Sequence, residues 1–141
     1  MNIPVTVKHR IGIDDMQSYE EMLHFVDTVA ATGCTHFVVH ARIAILKGLS
    51  PKENREVPPL RYEDVYRLKQ ERPHLTIEIN GGIKTFAETQ AHLQHVDGVM
   101  IGREAYHNPY LLAELGQLWN LEAPDRFDIM EQMLPYIEQR L

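Results

Sequence analysis

The 141-residue sequence predicts an α/β fold in which a parallel sheet is covered by helices. Two observations carry that expectation. Short runs of β-branched and apolar residues alternate strictly with segments of helical period. Each of the four runs then ends in basic, amide or glycine-rich chemistry, and in α/β folds ligands bind beyond the carboxyl ends of the strands.

The elements follow in order. Met1 to Arg10, with Ile3, Val5, Thr6 and Val7, reads as a first strand. A polar loop with Gly12 and Asp14-Asp15 leads to Ser18, an N-cap with Glu20 and Glu21 in the first helical turn. Met22, Phe25, Val26 and Val29 recur at helical spacing, and Gly33 is the expected stop. His36-Phe37-Val38-Val39-His40 is the second strand. The segment 41–59, with Gly48, Pro51, Pro58 and Pro59, is too long for a minimal strand-to-helix connection and marks a functional loop. A helix over 62–72 ends at Pro73, and Leu75 to Asn80 is the third strand. Thr85 and Glu88 form a capping box for a short helix to Leu93. Gly98 to Ile101 is the fourth strand, and helices follow over about 109–119 and 125–140, the latter opened by Pro124-Asp125. Four strand–helix units make half of a (β/α)8 barrel or a small open doubly wound sheet.

Composition narrows the function. The apolar fraction of 44% and charged fraction of 24% exclude disorder and fibrous classes. No apolar run approaches the roughly 18 residues of a membrane span. The N-terminus has no secretory pattern, and one cysteine, Cys34, excludes an internal disulfide and any multi-cysteine metal site. A cytoplasmic location fits these features. The net charge of −6 hides an asymmetry: five cations (Arg42, Lys47, Lys52, Arg55, Arg61) and two anions (Glu53, Glu56) lie between Arg42 and Arg61. That segment is an anion-facing surface on an acidic body.

The strand ends supply the chemistry. Lys8-His9-Arg10, His40-Ala41-Arg42, Asn80-Gly81-Gly82 and Gly102-Arg103 terminate the four strands. Gly81-Gly82 and Gly102 let backbone N–H groups approach an anion, with Arg103 as a guanidinium beside it, and together they point to a phosphate site. Lys8 suits a group that becomes electron-rich, such as a flavin ring, and His40 suits a phosphate, a ring edge or a carbonyl. Other residues read as structural. His92 and His95 lack a third ligand and sit on a solvated helix face. Cys34, at the amino end of its strand, is a small buried residue, and Trp119 is helix packing.

The ordered motifs Val7-Lys8-His9-Arg10-Ile11-Gly12, Val39-His40-Ala41-Arg42, Leu46 to Arg55, Ile79-Asn80-Gly81-Gly82-Ile83 and Val99 to Tyr106 resemble tRNA-dihydrouridine synthases, and the Lys47 to Pro59 loop resembles the A subfamily. The resemblance implies the second half, about strands five to eight, of an FMN-binding TIM barrel over residues 1–120, with the start of a C-terminal helical domain over 121–141. It implies reduction of uridine to 5,6-dihydrouridine in the tRNA D-loop, with NADPH as reductant, FMN as cofactor and tRNA as partner. Lys8, His40, Asn80, Gly81, Gly82, Gly102 and Arg103 match the FMN positions. Lys52 and Arg55, assisted by Arg42, match positions that contact tRNA. The resemblance also implies that the catalytic cysteine belongs to the other half-barrel. Cys34 does not match it, no catalytic residue is assigned here, and no metal site is expected. The chain alone is then expected to be inactive, and to pair with the missing half or with a second copy. A non-catalytic FMN- or RNA-binding fragment, or another phosphate-binding flavin-dependent barrel oxidoreductase, are the alternatives.

Overall fold

A computed structural model describes residues 3–140. The chain separates into two compact units, Met1–Gly102 and Arg103–Leu141. In the first, the strands are β1 (Val7–Arg10), β2 (His36–His40), β3 (Thr76–Asn80) and β4 (Gly98–Met100). The helices between them are α1 (Tyr19–Ala30), α2 (Tyr62–Glu71) and α3 (Phe86–His92). The sheet order is β1-β2-β3-β4 and every pairing is parallel. This is an α/β architecture compatible with half of a TIM barrel.

Local chemistry explains the helix boundaries. The Ser18 hydroxyl accepts from the Glu21 N–H, and the Glu21 carboxylate accepts from the Ser18 N–H at 2.9 Å. Thr85 and Glu88 repeat this reciprocal cap on α3. α1 gives way at Ala31, and Gly33 then takes φ +98°, its N–H reaching the Ala30 carbonyl. The core lies between the sheet and its helices: Phe37, Val39, Ile77 and Ile79 from the strands meet Met22, Val26, Val65 and Leu68, all buried.

Three expectations change in this unit. Met1 and Asn2 of the first strand lie outside the described residues, and β1 begins only at Val7. Register sets Val7 opposite Phe37, the second residue of β2, so Ile3 to Val5 have no ladder partner, and Ile3 and Val5 are exposed. His92 is buried rather than solvated, because Tyr62 and Tyr66 of α2 close over it. Cys34 is only half-buried, its thiol directed at the Val5 and His36 carbonyls.

The second unit holds α4 (Arg103–His107), α5 (Tyr110–Leu115) and α6 (Arg126–Glu138). The helix expected over 109–119 is α5 followed by a 3₁₀ turn, Gly116–Trp119, and the short α4 opens at Arg103. Leu111 and Leu115 are buried, whereas Trp119, expected to pack between helices, is 62% exposed. Asp125 caps α6 by accepting from the Phe127 N–H at 2.8 Å, as the sequence implies. Among the described residues no helix is long and apolar enough to cross a membrane.

Phe37 has no exposed surface and is among the largest fully buried side chains. Phe37→Ala is expected to destabilise the first unit by about 3–5 kcal/mol, the range for an aromatic deletion in a core. The shift of the urea midpoint measures it.

Candidate functional site

Side chains alternate along a strand, so register decides which of them share a face. Lys8, Val38, Glu78 and Gly98 form one cross-strand row, and Arg10, His40, Asn80 and Met100 the next row toward the carboxyl ends. Val7, Phe37 and Ile77, with the row of His9, Val39, Ile79 and Val99, point the other way, toward the helices. The strand-end residues therefore divide. Lys8, Arg10, His40 and Asn80 occupy the open face. The His9 ring lies between Phe25 and Phe37, at 5.0 and 6.1 Å.

The open face carries most of the polar side chains of the sheet, with Val38 and Met100 between them. Glu78 bonds His36 at 2.7 Å and covers Gly98, where a Cβ would come within 2.9 Å of its Cγ. Lys8 is exposed, and the desolvation it does feel, with the nearby Arg10 charge, holds its amine below the usual lysine range. Asn80 is buried and donates from Nδ2 to the Met100 carbonyl at 2.7 Å, tying β3 to β4. Gly81 and Gly82 follow at φ +119° and +73°, backbone that favours glycine. A Cβ on Gly81 would lie 3.3 Å from the His40 imidazole, so the ring stands where a side chain at 81 would crowd it. Gly102 closes the first unit and is exposed; Arg103, also exposed, opens α4 in the second.

The long loop is ordered by two residues that sequence reasoning passed over. Arg10 donates from one guanidinium nitrogen to the Ile43 and Asn54 carbonyls, both at 2.8 Å. Buried Asn54 accepts from the Ile45 N–H and donates to the Ile45 carbonyl, each at 2.7 Å. A 3₁₀ turn, Glu53–Arg55, follows Lys52, and both Lys52 and Arg55 are exposed there. Arg42 donates to the Pro58 carbonyl at the far end of the loop. Desolvation and the charges of Arg42 and Arg55 all lower the Arg10 pKa, so these guanidiniums gather in one positive region. No spacing in the sequence distinguishes Arg10 or Asn54; only the returning loop gives them partners. Among the described residues no group of His, Cys, Asp and Glu could hold a metal ion, and Cys34 sits at the amino end of β2, away from this region.

Comparison with known proteins gives the family. The family described as Dihydrouridine synthase (Dus) matches residues 1–141. The chain belongs to this family. It is 60% identical over 145 residues to the tRNA-dihydrouridine(20/20a) synthase of Synechocystis sp., covering 100% of this chain and 43% of that protein. The proteins of the same name from Shewanella oneidensis and Vibrio cholerae are 57% and 58% identical over 100% of the chain, which covers 43% and 44% of them. The chain thus spans less than half the length of these relatives.

Two measurements follow. Asn54→Ala leaves the Ile45 N–H without its acceptor and is expected to speed proteolytic cleavage within 44–57 severalfold, with cleavage elsewhere unchanged. Burial holds the His9 and His92 imidazoles below the usual 6.5, favouring their neutral forms. Their contribution to stability is complete above the unfolded value of about 6.5 and is lost as the pH falls from there through the lowered folded values. The urea midpoint is expected to drop between pH 7 and pH 5, less steeply in His92→Gln.

Proposed function

We propose that this chain is the second half, about strands five to eight, of the barrel of an FMN-dependent tRNA-dihydrouridine synthase, with residues 121–141 beginning a helical domain. The observation that carries this reading is the row Arg10, His40 and Asn80 ending in the Gly81-Gly82 turn, at one end of a parallel sheet in a chain of this family. β1 and β4 each have a single ladder neighbour, which leaves two sheet edges for the other half-barrel.

The residues present fit a phosphorylated flavin. Gly82 is exposed and unhindered by a Cβ, and neither the Gly82 nor the Ile83 N–H donates to a protein acceptor among the described residues. These amides and the Asn80 strand end would hold the phosphate. Gly102 and Arg103 are assigned to the same group on the resemblance alone. Lys8 and His40, on the same face, would border the ring system, where an ammonium stabilises negative charge. When bound, the flavin supplies the hydride that reduces uracil, with NADPH as the electron source. Lys52 and Arg55 meet the tRNA backbone from the loop, with Arg42 holding the loop at Pro58. The proton donor is a cysteine of the other half-barrel. The substrate is tRNA at the sites that the relatives' names designate 20/20a, and a cytoplasmic location accompanies it.

The test is turnover on unmodified tRNA with NADPH and FMN. The full-length protein is expected to form dihydrouridine and the 141-residue chain alone to form none; formation by the chain alone overturns the division of labour. In the full-length protein, Lys52→Ala with Arg55→Ala is expected to weaken tRNA binding at least tenfold and to leave flavin content intact. Loss of flavin instead would displace the loop from its assigned role.

A further inference from the structure

Between the glycine turn and the helices lies a group of aromatic and imidazole side chains that the reading above does not use. Tyr62, the first residue of α2, donates its hydroxyl to the Gly81 carbonyl at 2.7 Å. Its ring meets buried His92 edge-on, with centroids 4.5 Å apart and planes at 70°. His92 is fixed in turn: its Nδ1 shares a 2.6 Å hydrogen bond with the Tyr66 hydroxyl. Leu60 completes the wall, for a Cβ on Gly82 would fall 2.8 Å from its Cδ1 and 3.1 Å from the Tyr62 hydroxyl. The turn is therefore gripped from the helix side by Tyr62 and Leu60.

Peptide geometry turns this grip into a direction. In a trans peptide the C=O and the following N–H point oppositely. The structure has no cis peptide among the described residues. A Gly81 carbonyl drawn toward Tyr62 therefore sends the Gly82 N–H away from it, on an exposed residue. We infer that Tyr62 is a positioning residue that aims the Gly82 N–H at a phosphomonoester, with His92 holding Tyr62 in place and Leu60 packed at the same turn. The inference rests on the flavin-phosphate reading and adds to it the group outside the strand ends that sets the donor. Burial and the Glu88 carboxylate keep the Tyr62 hydroxyl protonated, opposed by Arg42, so it remains a donor across the neutral range.

The discriminating experiment compares FMN with riboflavin, which lacks the phosphate, on the full-length protein. Flavin fluorescence quenching gives both dissociation constants. Tyr62→Phe keeps the ring against His92 and removes only the hydroxyl. The expected result is about tenfold weaker FMN binding, the worth of one hydrogen bond to a charged group, with riboflavin affinity unchanged. Equal loss for both flavins would make Tyr62 a structural brace, and no loss for either would leave it without a role at the site; each overturns the inference. A wild-type protein that does not favour FMN over riboflavin removes the phosphate reading itself, a result visible before any variant is made. Should Tyr62→Phe not fold, His92→Leu keeps the hydroxyl but removes its support. It is expected to weaken FMN binding about threefold and to spare riboflavin, and an unchanged FMN constant overturns the inference.

Discussion

Alternation along four in-register parallel strands is the constraint on which the first unit depends. A strand has two faces and one period, so the residues that pack the helices cannot also line the site. Phe37, Val39, Ile77 and Ile79 take the helix side with no measurable exposure. That commitment places Lys8, Glu78, Arg10, His40 and Asn80 together on the other side. A slip of one residue would exchange the two sets, burying charges under α1 and α2 and exposing the core. The apolar packing therefore specifies the polar face without touching it.

Polar chemistry at the strand ends has a cost in repulsion and desolvation, and the loop offsets part of it. Arg42 and Arg55 lie close enough to Arg10 for their charges to lower its pKa. Their charges are partly spent on carbonyls: Arg10 on Ile43 and Asn54, Arg42 on Pro58. These bonds also give 41–59 a defined path, with Asn54 as its buried hub. The positive region is thus built from arginines that hold their own backbone, Arg10 and Arg42, and from Lys52 and Arg55, which stay in solvent.

The site was legible where chemistry is local. Ser18, Thr85 and Asp125 announce helix starts because their bonds span two or three residues. The glycine pair at 81–82 announces a turn, and both residues adopt positive φ. Sequence pattern is silent where the deciding partner is distant along the chain. The pattern of its own short helix puts His92 in solvent, yet Tyr62 and Tyr66, 30 and 26 positions away, bury it. Arg10 looked like one more cation at a strand end until the loop returned Asn54 to it across 44 residues.

By itself the sequence determined the alternation of strands and helices, the caps, the family and the residue types at each strand end. These follow from periods and short-range hydrogen bonds, and no long-range information is needed to read them. Only the tertiary structure decided that His9 turns from the site while Lys8 and Arg10 face it, and that Tyr62 holds the glycine turn. It also decided that Arg42 is bound to its own loop at Pro58. Those outcomes depend on strand register and on the path of a long connection, and both are settled by packing between segments that sequence order keeps apart.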